Sequence, residues 1–386
     1  MGRGRRGMYC FAPRWGWNDQ QLTKNVGIVP YIFYKEYGFH SVMVTGLGGP
    51  YPSLEGHVKG LEMAQTGSAD QKLQMDYIEE HAEDMDVFVM HGADPFYYVL
   101  LHRYRELRPD GKVYLELDPN SGWMDRIPAG QPLFRWFLSQ CDVIGVSCRR
   151  MQRYLSAKWP CRLDYLPNGF YDFSGEDLRV DFAEKENIIL AVGRIGSPEK
   201  RYELLMEAFA LTAHELRGWR LRLVGGVSED FQKGYVREYF CHHPELQDRV
   251  DFTGAVYDKK KLMAEYRRAK VFALTSIKEG GTPNVVAEAL YGGCYMVTSD
   301  VDGSGDIVDG GACGEIFPID DVQGLADILR RICNDPARLL SGGRRAEVYG
   351  RENFDFLKIA ARLYYLLFEE CPAKGIGTGG QRAWAG

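Results

Sequence analysis

The feature that most constrains this chain is a repeated alternation of short apolar runs with helix-patterned segments. Nine runs are rich in β-branched and aromatic residues: 41–45, 86–90, 112–117, 142–147, 187–193, 220–225, 249–254, 270–276 and 294–299. Near-continuous apolar strands separated by helices are typical of parallel sheets covered on both faces. Because one sheet of nine or more strands is uncommon, the pattern predicts two Rossmann-like, doubly wound α/β domains.

The boundary between the predicted domains falls within residues 166–186, which are rich in Gly, Asp and Glu and lack clear periodicity. We expect a first domain over residues 1–170 and a second over 171–350. A strongly apolar helix is predicted over 355–370 and must bury one face. The tail 371–386 is expected to be disordered.

Bulk properties exclude several classes of protein. The chain has 386 residues and a formal net charge of −6, which argues against a nucleic-acid partner. Its apolar runs are far shorter than the ~18–20 residues that span a bilayer, and the basic N-terminus lacks the apolar core of a signal peptide. Nine cysteines without metal-like spacing indicate reduced thiols in the cytoplasm, and no structural metal is expected; residues 241–245, CHHPE, are interpreted as a surface turn.

The segment KEGGTPNVVAEAL follows an apolar run and combines a glycine pair with the start of a helix. Thr282 is the expected N-cap, Pro283 the first helical position, and the helix is predicted to continue from Asn284. Gly280 and Gly281 would let the backbone approach a ligand closely. Free N–H groups and the positive end of the helix dipole make this turn a predicted anion site.

Two carboxylates flank that predicted site. Glu288 lies in the helix, ~8–9 Å along its axis from the anion site. Its neighbours are apolar, and a partly buried carboxylate can be satisfied by the two donors of a vicinal diol. Glu279 precedes the turn and would face the other side of the anion. The predicted site would therefore contact hydroxyls, a diphosphate and hydroxyls in turn, which is the order of groups along a sugar nucleotide. The alternative is that Glu279 is a solvated loop acid and Glu288 pairs with a lysine.

A second motif, LAVGRIGSPEKRYELLMEAF, places Arg194 and Lys200 between a strand and a helix. Loops at the carboxyl edge of a parallel sheet are where such folds bind ligands. Two cations there can neutralise a diphosphate, the arginine as a fork and the lysine as a point charge. The alternative interpretation is that both form ion pairs with acids such as Glu199.

These motifs, together with PNGF at 167–170 and GACGEIFPIDD at 311–321, resemble the retaining glycosyltransferases of GT-B fold, family 4. The resemblance is strong over residues 165–335 and weak over the first 140. It implies two Rossmann-like domains facing a cleft, with the nucleotide on the second and the final helix crossing back to the first. It also implies roles for matching positions: Arg194 and Lys200 would contact the diphosphate, Glu279 the transferred sugar and Glu288 the ribose diol. The backbone around Thr282, Pro283 and Asn284, together with Gly280 and Gly281, would contact phosphate or sugar. Val256 would lie at the base.

One departure concerns the two glutamates, which the family usually spaces eight apart and which here lie nine apart. The extra residue allows either Glu279 or Gly280 to stand at the family position. In the first domain, His91 and Asp118 end predicted strands, where family members often place polar residues near the sugar or the acceptor. Gly16 is the glycine that stands where the family has a Gly-Gly loop.

The resemblance implies metal-independent transfer of a sugar from a nucleoside diphosphate to a hydroxyl acceptor, such as a sugar or a lipid-linked glycan, with no further cofactor. Residues 149–162 contain five basic and no acidic residues, which suits either a solvated helix face or peripheral contact with a membrane. A non-catalytic paralogue that binds a sugar or nucleotide is the alternative function. A dinucleotide oxidoreductase is disfavoured because LVGGVSED is not a GxGxxG fingerprint.

Overall fold

The computed structural model describes residues 6–68, 70–118, 120–127, 129–176 and 179–369. The predicted disordered tail 371–386 therefore lies outside the described residues. The chain divides into two compact units, passing from the first to the second between Tyr171 and Asp172 and returning to the first at Asp355. The short segment Cys148–Arg150 also belongs to the second unit. Within the described ranges, no helix is both long and apolar enough to cross a bilayer.

The first unit is built on a parallel sheet that has seven strands among the described residues, in the order β3-β2-β1-β4-β5-β6-β7. The strands are β1 Gly7–Phe11, β2 His40–Thr45, β3 Glu62–Gln65, β4 Met85–His91, β5 Lys112–Leu117, β6 Val143–Val146 and β7 Asp164–Tyr165. Strand order reverses between β1 and β4, which places the switch point of this sheet at their carboxyl ends.

The second unit contains a parallel sheet with six strands in the described part of the chain, in the order β10-β9-β8-β11-β12-β13. The strands are β8 Glu186–Val192, β9 Arg220–Val224, β10 Val250–Phe252, β11 Ala269–Leu274, β12 Tyr295–Ser299 and β13 Gly314–Phe317. The switch point of this sheet lies between β8 and β11. The expected fold class, two doubly wound α/β units, is confirmed.

Helices connect most of these strands, as parallel pairing requires. They are α1 Asp19–Leu22, α2 Asn25–Tyr37, α3 Gln71–His81, α4 Phe96–Leu107, α5 Ser121–Met124, α6 Pro132–Ser139, α7 Arg149–Ser156, α8 Tyr202–Thr212, α9 Glu229–Phe231, α10 Arg237–His242, α11 Lys259–Arg268, α12 Asn284–Tyr291, α13 Ser304–Ile307, α14 Val322–Cys333, α15 Pro336–Asn353 and α16 Phe356–Phe368.

Apolar packing fixes the second sheet and its loops in place. Ile189 of β8 and Val271 of β11 are fully buried against Leu205 and Phe209 of α8 and Leu329 of α14. Fully burying an aliphatic or aromatic side chain of this size contributes about 1.5–3 kcal/mol. The strand ends that carry the predicted site residues therefore project from a rigid core.

The final helix, α16, packs against α2 within the first unit. The Tyr364 ring lies 4.9 Å from the Tyr37 ring, and the Phe368 ring lies 5.9 Å from the Phe39 ring, centroid to centroid. The apolar face that the sequence requires the last helix to bury is thus covered by aromatic side chains of the amino-terminal part of the chain.

Candidate active site

The second sheet brings the two glycine-containing loops of the sequence motifs to one place. The loop after β8 carries Arg194 and Lys200, and the loop after β11 carries Glu279. Because β8 and β11 are neighbours, both loops leave the carboxyl edge of the sheet at its switch point. This is the position at which open α/β sheets bind ligands.

The loop after β8 is folded into two successive turns. The Ser197 N–H donates to the Arg194 carbonyl at 3.3 Å, and the Lys200 N–H donates to the Ser197 carbonyl at 3.0 Å. Arg201, which precedes α8, then adopts a left-handed backbone with φ of 51°. A non-glycine residue in this region stores about 1–3 kcal/mol of strain, and such strain concentrates at functional sites.

Hydrogen bonds join the two loops directly. The Ile277 N–H donates to the Glu199 carbonyl at 2.9 Å, and the Thr275 hydroxyl donates to the Lys200 carbonyl at 2.7 Å. The Ser299 hydroxyl, at the end of β12, donates to the Ser276 carbonyl at 2.5 Å. The two loops are therefore held as one unit on the sheet edge.

Lys200 and Glu279 form an ion pair across these loops. The Lys200 Nζ donates to Glu279 Oε1 at 2.6 Å, and their side chains are 17% and 9% exposed. The Ser276 hydroxyl donates to the same carboxylate oxygen. Glu279 is therefore turned inward beside a cation, and the interpretation of it as a solvated loop acid is wrong. Ser276 is a site residue that the sequence analysis missed, although it lies only three residues before Glu279.

Arg194 has a different environment. Its guanidinium is 78% exposed and pairs with Glu199 at 2.5 Å. A backbone hydrogen bond, and then the charge of Arg194, hold the pKa of the Glu199 carboxyl below its ordinary value of 4.5. The ion pair that the sequence offered as an alternative is thus present, and each predicted diphosphate cation holds a carboxylate in this structure.

Tyr202, at the start of α8, lies within electrostatic reach of both ion pairs. It is 3% exposed. Burial first, and then the Glu279 charge, raise the pKa of its hydroxyl, while Arg194 acts in the opposite direction. A Cβ on Gly193 would lie 2.6 Å from this hydroxyl, so the glycine lets the loop fold closely over the ring. The sequence analysis did not identify Tyr202.

The start of α12 differs from the prediction. Pro283 is the N-cap, with φ −66° and ψ 151°, and Asn284 is the first helical residue. The predicted N-cap role of Thr282 and first-turn role of Pro283 are therefore wrong by one position, because the proline is extended here rather than helical. Gly281 has φ of 82°, a left-handed conformation that favours glycine. A Cβ on Gly303 would lie 2.3 Å from the Gly281 carbonyl oxygen.

Glu288 projects from α12 toward α11. The Tyr266 hydroxyl donates to Glu288 Oε2 at 2.7 Å, and the tyrosine is fully buried. The Tyr266 hydroxyl is thus one partner of the Glu288 carboxylate. Val256, the predicted base contact, is half-buried in the loop after β10, and the Gly254 carbonyl in that loop accepts from the Gly225 N–H at 2.9 Å.

The first unit gathers two of its predicted residues at its own switch point. Gly16, with φ of 75°, lies in the loop after β1, where a Cβ would come within 2.8 Å of the Leu47 carbonyl oxygen. The neighbouring Trp17 ring stands edge-on to His91 with centroids 5.0 Å apart. His91 Nδ1 lies 3.2 Å from Glu116 Oε2, and the two side chains are 10% and 12% exposed.

Glu116 was missed because it lies within a predicted strand and was interpreted as part of that strand. The Asn25 amide, at the first position of α2, donates to its other oxygen. Asp118 follows β5 and is exposed. No group of three or more His, Cys, Asp and Glu side chains in the described ranges has metal-site geometry.

The basic segment 149–162 is extensively ion-paired. At least four of its five cations have carboxylate partners: Arg149 with Asp306 at 3.6 Å, Arg150 with Asp300 at 2.6 Å, Lys158 with Asp125 at 2.7 Å and Arg162 with Asp164 at 2.9 Å. This neutralisation weakens the attraction of the segment to an anionic membrane surface.

Part of the second unit matches a known family model. Residues 186–335 match the family model described as Glycosyl transferases group 1. The matched range contains the loops with Arg194, Lys200 and Glu279 and the helix with Glu288. The resemblance found in the sequence motifs is therefore confirmed for this part of the chain.

Two curated relatives illustrate the match. The exopolysaccharide phosphotransferase SCO2592 of Streptomyces coelicolor is 30% identical over 151 residues, which are 39% of this chain and 15% of that protein. The GalNAc-alpha-(1->4)-GalNAc-alpha-(1->3)-diNAcBac-PP-undecaprenol alpha-1,4-N-acetyl-D-galactosaminyltransferase of Campylobacter jejuni is 31% identical over 153 residues, 39% of this chain and 40% of that protein. The chain thus spans less than half the length of either relative.

Solved structures match the fold of nearly the whole chain. HepE of Anabaena, in complex with UDP, superposes on this chain with a TM-score of 0.73 at 16% sequence identity. The superposition covers 95% of this chain and 100% of the HepE chain. The fold, two parallel-sheet α/β units, is therefore the GT-B fold that the resemblance implied.

Proposed function

We propose that this chain is a retaining glycosyltransferase that moves a sugar from a nucleoside diphosphate donor to a hydroxyl acceptor without a metal ion. The observation that carries the proposal is the Lys200–Glu279 ion pair at the switch point of the second sheet, 2.6 Å long and largely buried. It holds a cation and an acid beside the N-terminus of α12, within the range matched by the group 1 family model.

The roles follow from charge. Lys200 and Arg194 neutralise the diphosphate, with the phosphates replacing Glu199 as the partner of the exposed arginine. The N-terminus of α12 adds N–H donors and its dipole. Glu279 accepts hydrogen bonds from the transferred sugar, and Glu288 holds the ribose diol. One charge-assisted contact to a leaving group supplies about 3 kcal/mol, or about 10²-fold in rate.

The chemical step that we propose breaks the bond between the anomeric carbon and the diphosphate oxygen. The bond electrons leave with the diphosphate, where the two cations stabilise them. An acceptor hydroxyl attacks the same face of the sugar, and its proton passes to the departing phosphate oxygen. No protein nucleophile is required, so catalysis rests on electrostatic stabilisation.

The acceptor side is assigned to the first unit. His91, packed beside Trp17 and Glu116 at the end of β4, is the residue that we propose lies near the sugar or acceptor hydroxyls. Asp118 stands exposed at the end of the next strand. By analogy with the Campylobacter jejuni relative, whose name specifies an undecaprenol-linked glycan, a lipid-linked glycan is one acceptor class. We propose that the enzyme acts in the cytoplasm.

A donor screen tests the proposal. Thermal shifts are measured with UDP-, GDP-, ADP- and dTDP-sugars; saturation at 100 times Kd adds about 2.7 kcal/mol of stability. A responding donor is then assayed for hydrolysis and transfer, with and without EDTA, and the anomeric configuration of the product is read by NMR. Binding without turnover would favour the non-catalytic paralogue, and no response to any donor would refute a nucleotide-sugar function.

A further inference from the structure

We propose that Tyr266 is a positioning residue that fixes the carboxylate of Glu288 for the ribose of the donor and so lets the site discriminate ribose from deoxyribose. This inference rests on the proposed function, since it concerns the nucleoside end of the same donor. The tyrosine comes from α11, outside the two motifs that define the site. Nothing in its local sequence, EYRRA, marks it as functional.

The contact between the two residues is short and sheltered. The Tyr266 hydroxyl donates to Glu288 Oε2 at 2.7 Å. Tyr266 is 0% exposed, and Val286, Ala287, Ala289 and Leu290 around Glu288 are all buried. Burial first, and then the charge of Glu288, raise the pKa of the tyrosine well above its ordinary value of 10.0. The phenol therefore stays protonated and donates a hydrogen bond to the carboxylate at any physiological pH.

The backbone of Tyr266 is itself fixed from three directions. The Cys294 Sγ lies 3.1 Å and the Lys185 Nζ 3.4 Å from the Tyr266 carbonyl oxygen. Lys185 also donates to the carbonyls of Ala269 at 2.6 Å and Gly292 at 2.7 Å. A Cβ on Gly292 would lie 2.6 Å from Tyr266 Cβ, so α12 ends in close contact with the tyrosine. The donor of the hydrogen bond is thus rigidly placed.

This arrangement has a chemical consequence. A glutamate has three rotatable side-chain bonds, and a half-buried one without a fixed donor would sample several orientations. An ionised carboxylate has about four lone-pair sites, so accepting from the tyrosine hydroxyl is compatible with accepting from the hydroxyls of a vicinal diol as well. Holding the carboxylate in one orientation removes an entropic cost from binding and makes the loss of one diol hydroxyl more damaging.

The experiment compares Tyr266→Phe with the wild type and with Tyr239→Phe. Tyr239 is a matched control because its buried hydroxyl donates only to a backbone carbonyl, that of Met206, at 3.0 Å. Affinities for UDP, GDP and ADP, each against its 2′-deoxy analogue, are measured by calorimetry, and folding is checked by circular dichroism. Donor KM and kcat are measured for the sugar nucleotide that supports turnover.

We expect Tyr266→Phe to lower the preference for ribose over deoxyribose about tenfold, the equivalent of one hydrogen bond to a charged group. Affinity for the 2′-deoxy analogue should be unchanged, donor KM should rise and kcat should stay constant. Tyr239→Phe should retain the wild-type preference. Gly292→Ala displaces Tyr266 while keeping its hydroxyl, so it should reduce the preference for ribose by a smaller factor. It is the replacement test variant if Tyr266→Phe does not fold.

Two results would overturn the inference: a folded Tyr266→Phe with the wild-type ribose preference, or one that loses affinity for both analogues equally. Failure of the proposed function would look different. The wild type would then respond to none of the UDP-, GDP-, ADP- and dTDP-sugars of the donor screen, before any variant is made.

Discussion

Replacing Lys200 by methionine separates its structural contribution from its proposed catalytic one. Removing one partner of a buried ion pair costs about 3–5 kcal/mol, because the other charge is left uncompensated. Glu279 is 9% exposed, but the Ser276 hydroxyl still donates to it. The free energy of unfolding of the second unit should therefore fall by about 2–3 kcal/mol. Turnover should fall at least ~10²-fold, since the leaving diphosphate loses a cation.

The double variant Lys200→Met/Glu279→Gln makes this prediction discriminating. Neutralising Glu279 removes the stranded charge, so most of the lost stability should return in urea unfolding followed by circular dichroism. Turnover, measured with the donor found in the screen, should not return, because the diphosphate still lacks the Lys200 cation and keeps only that of Arg194. Full stability of Lys200→Met alone would show that the pair is not buried in solution. Recovery of turnover in the double variant would refute the assignment of Lys200 to the leaving group.

Further predictions concern the surrounding residues. Arg194→Ala should lower turnover ~10²-fold, yet leave stability within ~0.5 kcal/mol because its ion pair is exposed. Gly281→Ala should destabilise by about 1–2 kcal/mol, since φ of 82° disfavours a side chain. Lys185→Met should destabilise by about 1–3 kcal/mol by leaving buried carbonyls unpaired, whereas the exposed Lys233→Met should not. The pKa of Glu199 is lowered from 4.5 in the folded protein, so the ionised carboxylate stabilises the fold above that pH. This stabilisation is lost as the pH falls through the pKa of the folded state, and Glu199→Gln should reduce the fall of the melting temperature at acid pH.

Each of these has a contradicting outcome. A marked loss of stability in Arg194→Ala would mean that the guanidinium is structural rather than available to a ligand. An unchanged Gly281→Ala would mean that the turn adopts another backbone, and equal effects of the two lysine substitutions would remove the special role of Lys185. Unaltered pH dependence in Glu199→Gln would place the acid-sensitive group elsewhere.

The alternation of strands and helices was sufficient to predict the fold class, because each of the nine predicted runs contains a strand. Four strands were missed. β3, EMAQ, is a polar edge strand and β7 has two residues, so neither has a periodicity to detect. β1 is fully buried, but its five residues follow an arginine-rich start and were considered only as part of a basic N-terminus. β13 lies inside a segment interpreted as a motif rather than as a strand.

The sequence indicated where candidate site residues lie along the chain, but not which distant side chains pair with them. The positions of Lys200 and Glu279 at neighbouring loops follow from the pairing of β8 with β11, which the structure shows. That the two side chains bond to each other could not be predicted, because they are 79 residues apart in sequence. The Tyr266–Glu288 bond joins two helices whose relative rotation only tertiary packing determines.

The hydrogen bonds between the loops after β8 and β11 limit how donor preference can be re-engineered. Ile277 is anchored to Glu199, and Thr275 to Lys200, so the length of either loop is matched to that of the other. Transplanting one loop from a group 1 glycosyl transferase would break this registration and displace both charges at once. A chimera intended to accept a new donor should therefore exchange the two segments as a pair, together with the serine at the end of β12.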